Sequence, residues 1–372
     1  MQRKTSPFSN LFVIDALIFE NCKAFGYQEY LFNLLDYFFE KREYLSYERV
    51  IVVCPENQMQ FFQKYQERID IVGFRIKNKM QHLIAQNVFE RKLKLKKTDT
   101  VLFTYNYSSF FKCCRHILVI HDLLYLRKKY LLNKRMRYQR KFSVPISLRC
   151  ADKIIAISEF TKKDILGHYK VPRDKIVAIY NYFNFEKYTL TERYFKCSMP
   201  YFISVCSTAY HKNTITVLKA FEQFCKTNSN TDIVFIGGLE DKSSEAYIFY
   251  ESLPADNKKR IHFLANVSNP ELGMIYRNAK CFISLTLFEG LGMPVVEAMY
   301  FNLPLILSDL EVCREVASGA TVQFVDPLDI GQIVIAMNKN ADSSVFVSSC
   351  DLVKERFSKE NTSGKYIDLL NA

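Results

Sequence analysis

The chain has 372 residues, 49% of them hydrophobic, and a formal net charge of +12. This length and composition predict a globular protein with room for two separate cores, and they exclude a disordered or fibrous chain. No run of about 18 uncharged apolar residues occurs, so a membrane-spanning helix is not expected. The short apolar run near the N-terminus is interrupted by Asp15 and lacks the form of a signal peptide, so the chain is expected in the cytoplasm.

The positive charge is concentrated in the first half of the chain. Residues 1–190 contain 34 Lys and Arg against 18 Asp and Glu, whereas residues 191–372 contain 17 against 21. The segments 91–97 and 127–141 contribute most of the excess. Such asymmetry is typical of proteins that bind nucleic acid, an anionic membrane surface or a phosphate-rich substrate, although each segment alone is also compatible with a solvated helix face. An aromatic–basic recognition motif is lacking, so no nucleic-acid partner is expected.

The cysteines and glycines give no sign of a bound metal or cofactor. The eleven cysteines contain no C-x-x-C pattern, and the six histidines show no metal-ligand spacing relative to them. Scattered cysteines of this kind are typical of reduced thiols, most of them small core residues. The sequence also lacks the GxGxxG and GxxxxGK(S/T) patterns of dinucleotide and P-loop sites, so no metal or resident cofactor is expected.

Short apolar runs alternate with amphipathic helical patterns along nearly the whole chain, which predicts a parallel α/β fold. Helices are predicted at 27–39, at 214–226 and from Pro270, the last capped by Asn269. The apolar face of the first of these consists of Tyr30, Leu31, Leu34, Leu35 and Phe38. The predicted strands are 11–14, 50–54, 101–105, 117–121, 153–157 and 176–180 in the first half, and 201–206, 233–237, 261–264, 281–285, 305–308 and 322–325 in the second.

A polar segment without strand patterns, 185–200, separates two repeats of this scheme. We therefore predict an N-terminal domain at 1–190 and a C-terminal domain at 200–345, both doubly wound and Rossmann-like and facing a cleft. Closing helices are expected at 346–372, and these could pack back on the N-terminal domain. In such folds ligands bind at the carboxyl ends of the strands.

The most informative stretch follows the predicted strand 281–285. Gly290 and Gly292 allow close approach of the backbone to a ligand, and a proline near Met293 favours the start of a helix, whose N-terminus is an anion site. Glu289 lies in the loop and Glu297 is expected in the first helical turn, eight positions later. Carboxylates at both ends of an anion site suit a ligand with phosphates and hydroxyls, such as a nucleotide sugar. The alternative is a surface glutamate plus a first-turn glutamate favoured by the helix dipole.

Five further positions are candidates for ligand contact or local structure. His121, at the end of the strand 117–121, could hydrogen-bond a sugar hydroxyl or help to position an attacking group, or could be structural. Lys212 is a point charge at a helix entry and suits a diphosphate, or is simply an exposed lysine. Gly26, before the helix at 27–39, and Gly237, after the strand 233–237, are either backbone-approach sites or turns. Ser158 is expected to cap a helix.

At this point the sequence resembles the retaining, nucleotide-sugar-dependent glycosyltransferases of family 4, which have the GT-B fold. The similarity is most specific in the Glu-x7-Glu segment of 284–309 and covers about residues 20–360. The supporting segments are 119–123, 151–161, 211–213, 314–316, 325–329 and 356–358. The resemblance implies that the C-terminal domain binds the nucleotide sugar and the N-terminal domain the acceptor.

The resemblance also implies roles for individual residues. Glu297 would bind the ribose hydroxyls and Glu289 the donor sugar, while Lys212 would neutralise the departing diphosphate. His121 would hydrogen-bond the transferred sugar, and Gly26 would lie in the loop beneath the diphosphate. The amides of the segment that follows Glu289 would face the donor; this segment comprises Gly290, Leu291, Gly292 and Met293.

One departure affects the expected phosphate contacts. The family commonly has an arginine directly before the lysine or about five residues earlier, and here those positions are His211 and Ser207. We nevertheless expect transfer of a sugar from a nucleoside-diphosphate donor to a hydroxyl of a glycan in bacterial surface-polysaccharide synthesis. A lipid-linked acceptor on the inner face of the cytoplasmic membrane is favoured. The alternatives are a silent GT-B partner subunit, a sugar phosphorylase or an epimerase.

Overall fold

The computed structural model describes residues 10–19, 25–77, 79–127, 134–342 and 348–372. These residues form two compact units. One contains the described residues up to Tyr182 together with Lys359–Ala372, and the other lies within Phe183–Ser358. The first nine residues and the loop at 20–24, where the sequence analysis sought a leader and a phosphate loop, lie outside the described residues.

The first unit is built on a parallel sheet of seven strands in the order β3-β2-β1-β4-β5-β6-β7. The sequence predicted every strand except β3. The strands are β1 (Leu11–Asp15), β2 (Arg49–Pro55), β3 (Asp70–Phe74), β4 (Thr100–Phe103), β5 (Arg115–Ile120), β6 (Lys153–Ala156) and β7 (Ile176–Ala178), and the accompanying helices are α1 (Phe25–Glu40), α2 (Lys79–Lys92), α3 (Lys134–Cys150) and α4 (Glu159–His168).

The core of this unit follows from strands that are apolar on both faces, as expected where helices cover a parallel sheet on both sides. Every side chain of β1 after Leu11 is buried, and so are those of β2 after Arg49. The predicted apolar face of α1 is buried in full. Ser158 caps α4 as predicted, because its side-chain oxygen accepts a hydrogen bond from the Thr161 amide at 3.0 Å.

The second unit is built on a parallel sheet of six strands in the order β10-β9-β8-β11-β12-β13. All of these strands were predicted from the sequence. They are β8 (Tyr201–Val205), β9 (Asp232–Ile236), β10 (Ile261–Leu264), β11 (Cys281–Ser284), β12 (Leu305–Ser308) and β13 (Val322–Val325), and the helices are α5 (Thr214–Cys225), α6 (Glu245–Ser252), α7 (Ala255–Lys258), α8 (Asn269–Asn278), α9 (Met293–Tyr300), α10 (Glu311–Val316), α11 (Ile330–Asp342) and α12 (Cys350–Arg356).

One predicted cap is wrong. The cap of α8 is Ser268 and not Asn269, which is the first residue of the helix. The carboxylate of Glu271 accepts a hydrogen bond from the Ser268 amide at 3.1 Å, so the sequence S-x-x-E works as a capping box.

The strand order places a topological switch point in each unit. In the first unit β2 and β3 are added on one side of β1, and β4 to β7 on the other. In the second unit β9 and β10 are added on one side of β8, and β11 to β13 on the other. Loops that follow the two central strands therefore meet at the carboxyl edge of the sheet, where doubly wound folds bind ligands.

The helices at the end of the chain belong to different units. Helix α12 lies within the second unit, whereas the last helix, α13 (Lys359–Asn371), packs in the first. The hydroxyls of Tyr366 and Tyr30 lie 3.0 Å apart, and the Tyr47 hydroxyl donates to the Leu370 carbonyl at 2.9 Å. Lys359 is also paired with Glu40. None of the described helices is long and apolar enough to cross a membrane.

Candidate functional site

A lysine–glutamate pair occupies the switch point of the second unit. Lys212 ends the short 3-10 turn after β8, and Glu289 lies in the loop after β11. Because β8 and β11 are neighbours, the two loops meet, and Lys212 Nζ lies 2.8 Å from Glu289 Oε2. The side chains are 27% and 23% exposed, so a ligand from solvent can reach both.

Hydrogen bonds between the two loops hold this pair in place. The carbonyl of His211 accepts from the Leu287 amide at 2.7 Å and from the Thr286 hydroxyl at 3.0 Å. Asn213 has a left-handed backbone with φ of 53°, and its side-chain amide donates to the carbonyls of Leu285 and Pro327, each at 2.9 Å. These bonds fix the loops before any ligand arrives, which reduces the entropy that binding would cost.

The helix predicted to start near Met293 does so. Gly292 caps α9 with a left-handed φ of 88°, a conformation that other residues adopt only with strain. A Cβ at this position would lie 3.4 Å from Glu289 Cγ. Gly290 and Leu291 are buried beside it, and Met293 is the first helical residue.

A small pocket opens at the carboxyl ends of β8 and β11. Its lining includes Lys212, Glu289, Gly292, Ser204 and Ser284. A cation, a carboxylate and two hydroxyls beside a helix N-terminus provide donors and acceptors for both phosphate and sugar groups.

Glu297 does not lie where the sequence placed it. It is the fifth residue of α9, beyond the first turn, and is only 7% exposed. Its carboxylate accepts hydrogen bonds from the hydroxyls of Tyr188 at 2.8 Å and Tyr276 at 2.9 Å, and Lys187 Nζ lies 3.6 Å away. Glu297 is not among the residues that line the pocket beside Glu289. Glu297 is therefore held as a buried, partnered carboxylate.

Aromatic rings enclose the Glu297 carboxylate. Tyr276 stacks on Phe301 with ring centroids 5.4 Å apart, and Tyr188 meets Phe301 edge to face at 5.2 Å. An apolar surrounding of this kind strengthens the hydrogen bonds to the carboxylate and makes their loss costly. The sequence analysis identified neither tyrosine as a partner of Glu297; Tyr188 lies in the segment that it interpreted as a linker.

His121 lies at the carboxyl edge of the first unit's sheet. Its Nε2 is 2.8 Å from the Thr104 carbonyl, and since a carbonyl only accepts, Nε2 carries the hydrogen. Burial lowers the pKa of His121 below its usual value, so the ring is neutral at pH 7. Nδ1 is then an acceptor, which suits a sugar hydroxyl.

Residues that the sequence analysis did not assign to the site surround His121. Tyr105 and Tyr30 place their ring centroids 5.5 and 4.8 Å from the imidazole. Arg140, from α3, donates to the Tyr105 hydroxyl at 2.7 Å. The sequence held a signal for part of this group, because Tyr105 is the last residue of the predicted strand 101–105, at the edge where polar side chains gather.

The predicted position of Gly26 is wrong, while its contact with a diphosphate stays a prediction. The residue is the second in α1 rather than part of a loop before the helix, and it is exposed. A Cβ there would have no heavy atom within 4 Å, and its φ is not positive. The described backbone thus gives no reason for a glycine at this position.

Gly237, by contrast, is required by the backbone. Its φ is 110°, and a Cβ would lie 2.5 Å from the carbonyl oxygen of Cys206. The glycine lets the end of β9 approach the end of β8, which explains the residue without invoking a ligand.

Gly237→Ala is therefore expected to lower the free energy of unfolding by about 3 kcal/mol, from backbone strain plus the clash. Gly238→Ala is the matched control, because the nearest atom to a Cβ there is 4.0 Å away. Urea unfolding of both variants measures the difference. Equal stabilities would contradict the steric explanation.

The chain is thus a pair of doubly wound α/β units. Polar side chains lie at the carboxyl edge of each sheet, around Lys212 and Glu289 in the second unit and around His121 in the first. Residues 39–187 match the family model described as Glycosyltransferase Family 4, and residues 195–342 match that described as Glycosyl transferases group 1. The chain belongs to the family 4 glycosyltransferases with the GT-B fold, and the predicted fold class is confirmed.

Two curated relatives and one solved structure illustrate the similarity. The O-antigen chain mannosyltransferase RfbU of Salmonella typhimurium is 27% identical over 214 residues, which is 57% of each chain. The O-antigen chain mannosyltransferase B of Escherichia coli is 24% identical over 232 residues, 59% of each. The chain thus spans less than two thirds of either relative. Sucrose-phosphate synthase of Thermosynechococcus elongatus has a TM-score of 0.73 at 12% identity, covering 97% of this chain and 98% of that one.

Proposed function

We propose that this chain is a retaining glycosyltransferase that moves a sugar from a nucleoside-diphosphate sugar to a hydroxyl of a glycan in surface-polysaccharide synthesis. Mannose is the first candidate for the sugar, because two relatives are O-antigen mannosyltransferases. The observation that carries the proposal is the Lys212–Glu289 pair at the switch point of the second unit.

The chemistry of that pair suits departure of a diphosphate. Lys212 and Glu289 neutralise each other at 2.8 Å, and a bound diphosphate would offer the ammonium a second, more highly charged partner. The developing negative charge on the leaving phosphate would then be stabilised by Lys212 and by the N-terminus of α9. Glu289 would be released to accept hydrogen bonds from the donor sugar. No metal is included in this proposal.

In the first unit, His121 is proposed to accept a hydrogen bond from a sugar hydroxyl. Its neutral ring and fixed Nε2–H leave Nδ1 as the acceptor. The neighbouring Arg140 and Tyr105 add a cation and a hydroxyl at the same edge, which suits a polar acceptor. Because the ring is already neutral at pH 7, this contact would persist through the physiological range.

The test is thermal unfolding with UDP, GDP, ADP and CMP, each alone, on wild type and Lys212→Ala. A ligand at 100 times its Kd stabilises the folded state by about 2.7 kcal/mol. We expect one diphosphate to raise the midpoint of wild type and to have a much smaller effect on the variant. The sugar form of that nucleotide then serves as donor, and NMR of the product tests retention of the anomeric configuration.

The outcomes separate this proposal from its rivals. No shift with any nucleotide at millimolar concentration favours a silent partner subunit. A product that forms from phosphate or without an acceptor hydroxyl favours a phosphorylase or an epimerase.

We further propose that the acceptor is lipid-linked and that helix α3 holds the enzyme on an anionic membrane surface. Tyr138 and Phe142, one turn apart, are 67% and 66% exposed. Lys134, Arg135 and Lys141 are exposed on the same helix. Aromatic rings that enter the lipid interface together with basic residues beside anionic headgroups are the usual elements of peripheral binding.

Replacing Tyr138 and Phe142 together by serine is expected to reduce co-sedimentation with anionic vesicles at least about tenfold, from loss of apolar burial in the interface. Ile248→Ser, which removes an exposed apolar side chain in the second unit, is the control. Absence of wild-type binding even at low salt would contradict the proposal.

A further inference from the structure

A buried cluster in the first unit takes no part in the proposed reaction. Glu90 near the end of α2, Cys114 just before β5 and His116 within β5 are 2%, 4% and 0% exposed. They lie at the amino end of β5, whereas the candidate ligand site of this unit lies at the carboxyl end. One potential ligand atom from each residue lies within 4.8 Å of the others.

The hydrogen bonding of this cluster is incomplete. Among the described residues, neither nitrogen of His116 has a hydrogen-bond partner, and Glu90 Oε1 also lacks one. His116 Nε2 and Glu90 Oε1 lie 3.1 Å apart, but without the geometry of a hydrogen bond. Buried polar groups almost always have hydrogen-bond partners, and a bound ion or water is a common reason for an exception.

We propose that Glu90, Cys114 and His116 bind a thiophilic transition-metal ion, with Zn²⁺ the first candidate. A thiolate, an imidazole nitrogen and a carboxylate oxygen are the ligand types that Zn²⁺ takes in proteins. Cys114 Sγ lies 3.6 Å from Glu90 Oε2, a separation that two ligands of one small ion can have. On binding, the Cys114 thiol proton leaves to solvent and the ion takes its place.

A backbone amide orients one residue of the cluster, and another residue lines a surface pocket. The Cys113 amide donates to Glu90 Oε2 at 3.1 Å and so orients the carboxylate. Cys114 also lines a surface pocket, together with Lys97, Lys112, Cys113, Arg115 and Asp152. An ion here would join the end of α2 to the amino end of β5, so its role would be structural.

A second cluster of potential metal ligands differs from this one in its hydrogen bonding, and the difference favours the first cluster as the metal site. Cys197, Asp232 and His262 in the second unit also lie within 4.8 Å of one another. There, His262 Nε2 is 2.9 Å from Asp232 Oδ2, and Cys197 donates to the same oxygen at 3.5 Å. These side chains satisfy one another without an ion.

The experiment is a titration of the chelator-treated full-length protein with Co²⁺, read by the thiolate-to-cobalt charge-transfer band. We expect one equivalent to bind wild type, and we expect the band to persist in Cys113→Ser and Cys197→Ser but to disappear in Cys114→Ser. Zn²⁺ should raise the thermal midpoint of wild type and of Cys197→Ser. No band in wild type, or a band that disappears with Cys197→Ser instead, overturns the proposal.

Because Cys114 is buried, its serine variant could fail to fold, and a second measurement then decides. X-ray absorption at the zinc edge, made on the Cys197→Ser protein loaded with one equivalent of Zn²⁺, is expected to show a sulfur ligand. A shell of nitrogen and oxygen alone, or failure to retain zinc, overturns the proposal.

Discussion

Lys212→Ala is expected to lower kcat for sugar transfer about 100- to 1,000-fold, the usual cost of removing a group that stabilises charge in a transition state. Lys212 lies 2.8 Å from Glu289 in the pocket at the ends of β8 and β11. As the pair is partly exposed, its loss should change the free energy of unfolding by at most about 1 kcal/mol. The effect is therefore expected in the rate and not in the stability.

The matched control for this variant is Lys258→Ala. Lys258 pairs with Glu251 at 3.0 Å in the same unit, and these residues do not line the pocket. Steady-state kinetics with the donor identified by thermal unfolding, alongside urea unfolding, separates the two effects. A wild-type kcat in the Lys212→Ala enzyme would contradict the proposed role of this lysine in the reaction.

Glu297→Ala is expected to lower the free energy of unfolding by about 3 kcal/mol, which is the usual cost of breaking a buried charged pair. The substitution leaves the hydroxyls of Tyr188 and Tyr276 without their acceptor and removes the partner of Lys187. A loss of nucleotide binding in this variant would therefore not by itself prove contact with a ribose.

Glu297→Gln separates the two roles of this residue. Its side chain keeps one oxygen acceptor and nearly the same volume, so we expect a smaller loss of about 1 kcal/mol. If Glu297 also binds ribose, the Gln variant should bind the nucleotide more weakly while still folded. Glu251→Ala is the control for stability, because the Glu251 side chain is 51% exposed. A Glu297→Ala protein as stable as wild type would contradict the structural role.

The sequence alone predicted most of the secondary structure, because strands and helices in this fold follow local patterns. Twelve strands are short, mainly apolar runs, and they appear where expected. The exception, β3 (Asp70–Phe74), lies at the edge of the sheet, contains Gly73 and buries fully only Phe74. Its mixed composition does not distinguish a strand from a loop.

The sequence also identified Lys212 and Glu289 as candidates, but it could not show that they meet. They are 77 residues apart, and their contact depends on β8 lying next to β11. That order arises from packing of helices on both faces of the sheet, which no local pattern specifies. The proposed metal cluster is a similar case, since Glu90 approaches Cys114 only through the packing of α2 on the sheet.

Local reasoning failed where the start of a helix or the partner of a side chain decides the role of a residue. Helix α1 begins at Phe25, so Gly26 is helical, and α9 begins at Met293, so Glu297 lies beyond its first turn. Tyr188 reaches Glu297 from 109 positions away. The sequence by itself determined which residues carry charge and hydroxyls, because these are properties of single residues. The tertiary structure alone decided which of them share a site, because contacts between distant segments depend on strand order and on the burial of whole faces.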